Sequence, residues 1–201
     1  MFLPVHAAGI YSGGGHQECC SDYAVSSYTP TLSALLKART NLVPITRGSL
    51  VLLAAGAPET ESSLNMPFLD SVQEEITDVS RIARATDQIE VLEYGHTSAA
   101  KVREITGALA RANIIHLACH GVQDLEDPLN SGFCLGDGKL TVSELMEIKL
   151  DHAFLAFLSA CETAKGDENQ PDQAIHLAAA MLFCGFRSVV ATMWYVRTCA
   201  Q

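Results

Sequence analysis

Residues 153–163 read AFLAFLSACET. The stretch is apolar at every position from Ala153 to Leu158, then carries Ser159, Cys161, Glu162 and Thr163. A short run without polar alternation is the pattern of a strand covered on both faces, as in a parallel sheet. Reacting groups in such sheets collect just beyond the carboxyl ends of the strands, and Cys161 stands at such an end. Residues 113–121, NIIHLACHG, repeat the shape and end in His120-Gly121. If these two strands are parallel neighbours, a thiol and an imidazole reach one sheet edge.

The flanking sequence supplies the rest of an α/β pattern. Residues 49–55 read as a further buried strand, and 89–94 and 188–194 as strands. Between them, residues 69–86 place Val72, Ile76, Val79 and Ala83 at helical spacing, and 97–112 do the same with Val102, Ile105 and Leu109. Strands alternating with amphipathic helices predict a mostly parallel central sheet. Residues 172–184 read as an apolar helix closed by Gly185. Residues 133–141 hold Asp137-Gly138 between short apolar pieces, a hairpin signal. A helix over 143–149 is predicted with Ser143 as its cap. Nearer the amino terminus, strands are expected at 2–8 and 23–27. A helix is expected at 31–39, with Thr29 or Thr31 as cap and Pro30 in its first turn.

Composition narrows the function classes. The chain has 201 residues, 48% hydrophobic and 18% charged, with a formal net charge of −10. That length and content suit one domain with a substantial core. The negative balance argues against a nucleic-acid backbone or an anionic membrane as partner. No apolar run reaches membrane-spanning length, and residues 1–11 lack the basic region and cleavage site of a signal peptide. Seven cysteines, an odd number and several within apolar runs, fit reduced thiols in the cytoplasm better than a disulfide framework. The first strand starts without a lead-in, and the last is followed by only seven residues. Both ends therefore read as cut from a longer protein.

Several residues invite a chemical reading. Gly13-Gly14-Gly15 lies outside a strand–turn–helix context, and no Lys-Ser or Lys-Thr follows it. It reads as a loop, which weakens a nucleotide-binding interpretation. Cys19-Cys20 has no second cysteine pair and reads as incidental. His116 and His120 share a strand face, but four residues of strand separate their side chains by roughly 13 Å, too far for one zinc ion. His116 is instead expected to be a hydrogen-bonded structural histidine beneath the site. Cys119 has the opposite parity and belongs to the core, as do Cys134, Cys184 and His176. His120, followed by Gly121, and Cys161 remain as the candidate pair.

Taken together, HLACHG (116–121), Pro128, LGDGKLT (135–141), FLSACETAKGDEN (157–169) and MLFCGFRSVVATMW (181–194) resemble the CHAT family. PVHAAGIY (4–11) and SSYTPTLSALL (26–36) extend the resemblance over nearly the whole chain. CHAT domains are caspase-like, separase-related cysteine peptidase domains, often fused to tetratricopeptide repeats. The resemblance implies a caspase-like three-layer α/β fold and a single domain over 1–201, incomplete at both termini. It implies His120 as base, Cys161 as nucleophile, and an oxyanion hole from the backbone N–H groups of Gly121 and Cys161. No cofactor or metal is expected, and the implied partners are a protein substrate and an amino-terminal repeat region. Family members continue past the last strand with an acidic turn that is absent from residues 195–201. A non-catalytic CHAT module acting as a scaffold is the alternative function. A doubly wound nucleotide-binding domain is a weaker one.

Overall fold

A computed structural model describes residues 8–10, 18–27, 29, 31–40, 50–61, 64, 66–124, 126–159 and 174–191. The expected strand at 2–8, the Gly13–Gly15 loop, Pro30 and residues 160–173 and 192–201 lie wholly or mainly outside them, and Cys161 with them.

The amino-terminal part forms two helices, α1 (Cys20–Tyr23) and α2 (Leu32–Thr40). The expected strand at 23–27 does not form. The carboxylate of Asp22 accepts from the backbone N–H of Cys19 at 2.8 Å, which closes a helical turn instead. Val25 is 99% exposed, and among the described residues no strand pairs with it.

The central sheet follows the alternation in the sequence. Its strands are β1 (Leu50–Gly56), β2 (Ile89–Tyr94), β3 (Ile114–Ala118), β7 (Leu155–Ser159) and β8 (Ser188–Ala191). They are all parallel, in the order β2-β1-β3-β7-β8. The helices are α3 (Val72–Arg84), α4 (Val102–Leu109), α5 (Val142–Glu147) and α6 (Ala174–Cys184). Period-two alternation sorts the strand side chains into two cores. Leu52, Ala54 and Ala118 pack with Val72, Ile76 and Ala83 of α3 on one face. Leu53, Ala55, Ile115, Leu117 and Cys119 pack on the other, with Ile105 and Leu109 of α4, Leu145 of α5 and Met181 of α6. The result is three layers: helix, sheet, helices.

A second, antiparallel sheet carries β4 (His120–Val122), β5 (Gly132–Leu135) and β6 (Gly138–Thr141). The hairpin between β5 and β6 turns on Gly136-Asp137, one position earlier than the expected Asp-Gly. The Asp137 carboxylate then accepts from the backbone N–H of Val102 and ties the turn to the start of α4. Helix α5 is capped by Thr141, not Ser143. Thr141 Oγ1 accepts from the Glu144 N–H, and the Glu144 carboxylate accepts from the Thr141 N–H. This reciprocal capping box fixes the helix two residues before Ser143.

One glycine at the carboxyl edge of the sheet has no substitute. Gly95 follows β2 with φ +94°, and a Cβ there would collide with the backbone of Gly56 at the end of β1. Gly95→Ala is expected to cost at least about 1 kcal/mol in urea unfolding, through left-handed strain added to the clash.

Candidate active site

Strands β3 and β7 are adjacent, as the sequence predicts. Their register pairs His116 with Phe157, and Ala118 with Ser159 at the last rung. At Ala118 the parallel ladder stops. His120 is not the end of a parallel strand but the first residue of β4, where it stands opposite Cys134. The apolar stretch Leu117-Ala118-Cys119 just before it concealed this switch. Gly121 is paired with Phe133 in the same ladder.

The imidazole of His120 is fully buried. Its Nε2 lies 2.7 Å from the carbonyl oxygen of Pro67, in the segment that leads into α3. A carbonyl oxygen only accepts, so Nε2 carries the proton and donates it. In the neutral ring Nδ1 then holds the basic lone pair. A backbone carbonyl thus selects the tautomer, a task that a carboxylate performs in many acid–base pairs. Nothing in the side-chain pattern could have disclosed Pro67, because the group involved is main chain.

His116 has a separate partner. Its Nε2 lies 2.8 Å from Glu75 Oε1 on α3, and its ring stacks on Phe157 with centroids 5.0 Å apart. The second oxygen of Glu75 accepts from the hydroxyl of Ser159 at 3.1 Å. Burial raises the Glu75 carboxyl, but the hydrogen bonds from His116 and Ser159 and the imidazole's charge outweigh it, leaving the group below the ordinary glutamate range. The expectation of a hydrogen-bonded His116 is met, with Glu75 and Ser159 as residues the sequence reading missed. A depressed carboxylate stabilises the fold above its unfolded pKa and loses that contribution as pH falls through its folded value. The melting-temperature gap between the wild type and Glu75→Gln should therefore narrow on acidification from about pH 7 to below about pH 4.

Three of the five described thiols lack the setting of a nucleophile. Cys119 and Cys134 are buried in the core, and both are pushed up by desolvation. Burial also raises Cys184, to about 11. Thiolate is the reactive form, so all three should resist alkylation in the native protein near neutral pH. Peptide mapping after a short iodoacetamide pulse, with and without urea, checks this: the three should label only once unfolded. Among the described residues, no group of three or more His, Cys, Asp or Glu is placed to hold a metal. Among them, too, no helix is long and apolar enough to cross a membrane.

A His at the edge of a parallel α/β sheet is shared by many folds, so the arrangement needs the sequence beside it. The profile of the CHAT domain matches residues 2–200. The chain belongs to the CHAT domain family. CHAT domains form a caspase-like peptidase family, and the three-layer architecture around a five-stranded parallel sheet agrees with that membership. No curated protein matches the chain.

Proposed function

We propose that this CHAT domain is a cysteine endopeptidase acting on a protein substrate, with His120 and Cys161 as its catalytic pair. The observation that carries the reading is the shared last rung of β3 and β7. Ala118 and Ser159 are register partners, and His120 and Cys161 each follow that rung by two residues. Family membership and the tautomer of His120 support the same assignment.

The chemistry follows from these groups. Nδ1 of His120 takes the thiol proton of Cys161 as the sulfur attacks the peptide carbonyl carbon. The carbonyl π pair moves to oxygen, and the backbone N–H groups of Gly121 and Cys161 hold the oxyanion. Collapse of the tetrahedral species breaks the C–N bond, and the imidazolium returns its proton to the leaving amine. Water, deprotonated by the same imidazole, then hydrolyses the thioester and restores the thiol. Throughout, Nε2–H stays on the Pro67 carbonyl, so the ring swings neither away from the thiol nor into the other tautomer. The five described cysteines are free thiols, which supports action in the cytoplasm.

Cys119→Ala supplies the positional control. Cys119 lies beside His120 in sequence but packs in the opposite core, so its loss should leave cleavage of a co-expressed substrate largely intact. Loss of cleavage in Cys119→Ala, with Cys161→Ala still active, would reverse the assignment. An intact domain that neither cleaves nor reacts at Cys161 with a peptidyl electrophile would be an interaction scaffold.

A further inference from the structure

We propose that Glu75 is a positioning residue for the His120–Cys161 pair, clamping together the three segments that deliver and orient it. The inference rests on the peptidase reading above and adds residues that act behind the pair.

The three segments meet at one carboxylate. Oε1 takes a hydrogen bond from His116 on β3, four residues before His120. Oε2 takes one from Ser159, the last residue of β7 and two residues before Cys161. Glu75 itself sits in the first turn of α3, eight residues after Pro67, whose carbonyl holds His120. One side chain thus ties together the strand leading to the base, the strand leading to the nucleophile and the helix behind the base's orienting carbonyl.

The ladder alone does not do this. Its last rung is Ala118–Ser159, and beyond it β3 gives way to the antiparallel β4. Beyond Ala118 the segment that carries His120 is paired with β5 instead of β7, so the β3–β7 ladder does not reach it. A two-oxygen acceptor between His116 and Ser159 restrains both strands at that point. The stacking of His116 on Phe157 limits rotation of the imidazole arm. Ionised carboxylate acceptors make the stronger class of hydrogen bond, which suits a clamp at a partly buried edge. A misplacement of about 1 Å at a reacting pair can cost on the order of 100-fold in rate, so a small slackening suffices to be seen.

The test follows the alkylation rate of Cys161 by iodoacetamide in the full chain, read by peptide mass spectrometry across pH. In the wild type the rate should exceed that of a free thiol, with a midpoint below the ordinary ~8.5. Glu75→Ala should slow it by about 10–100-fold near neutrality and move the midpoint up towards the free-thiol value. Glu75→Gln can still accept from His116 and can donate to Ser159 Oγ, so it should recover the rate to within about threefold. Glu74→Ala, one residue away on the exposed side of α3, should match the wild type. A merely structural role would lower the melting temperature of Glu75→Ala without moving the midpoint, and that result would overturn the proposal. Fast wild-type alkylation with an unchanged rate in Glu75→Ala would overturn it alone. Wild-type alkylation no faster than a free thiol would overturn the peptidase reading and this inference with it.

Discussion

Cys161→Ala is expected to abolish peptide-bond cleavage, and His120→Ala to lower the rate by about 10²–10⁴-fold. The two losses differ in kind. Removing the sulfur removes the covalent step. Neither Cys119 nor Cys134 can substitute, since burial keeps their thiols protonated. Removing the imidazole leaves the thiol with its ordinary few per cent of thiolate, so a slow reaction persists. Cys134 makes the comparison demanding, because it stands directly opposite His120 in the β4–β5 ladder. If proximity to the imidazole alone made a nucleophile, Cys134→Ala would be the damaging change. The assay is cleavage of a co-expressed substrate by a domain that carries all of its elements. Activity that survives Cys161→Ala would contradict the assignment.

The second large effect is on stability. Phe133 is fully buried in β5 and pairs with Gly121, so its ring underlies the strand that begins with His120. Phe133→Ala is expected to destabilise the domain by about 3–5 kcal/mol, the sum of lost transfer energy and a cavity that neighbours cannot fill. Against a typical total of about 5–15 kcal/mol, this takes a large share of the fold. Urea unfolding should show a lower midpoint with little change in slope. A cost below about 1 kcal/mol would mean that the hairpin is not packed as described, since that is the level of an ordinary surface change.

Much of the architecture was legible because strands that alternate with helices declare a parallel sheet. The runs at 49–55 and 153–159 are largely apolar, those at 89–94, 113–119 and 188–194 alternate with amphipathic helices or apolar helical stretches, and the structure places a strand in each of the five. The parity of 114–120 also held: Ala118 packs towards α3, and Cys119 packs with α4 and α5. Where the strand ended was not legible. Apolar character continues through Cys119, while the departure of His120 into β4 depends on pairing with Cys134, fourteen residues later in the chain.

The groups around the candidate base were hidden for two different reasons. Pro67 acts through its main chain, which carries no residue signature. Glu75 did leave a trace. It lies three residues after Val72 and four before Val79, on the inward stripe of α3. A carboxylate on an apolar stripe needs partners, and both turned out to lie on strands distant in sequence. The helix at 20–23 was missed because Cys19–Asp22 hydrogen bonding outweighs the β-propensity of Tyr23 and Val25, which no strand among the described residues pairs with.

The central claim is that His120 activates Cys161. It is tested most directly by locating and timing the adduct of a peptidyl acyloxymethyl ketone, comparing the wild type with His120→Ala by mass spectrometry. The expected result is a single adduct on Cys161, formed at least about 100-fold more slowly in His120→Ala. An adduct on Cys134 or Cys119, or a Cys161 adduct that forms equally fast without the imidazole, would contradict it.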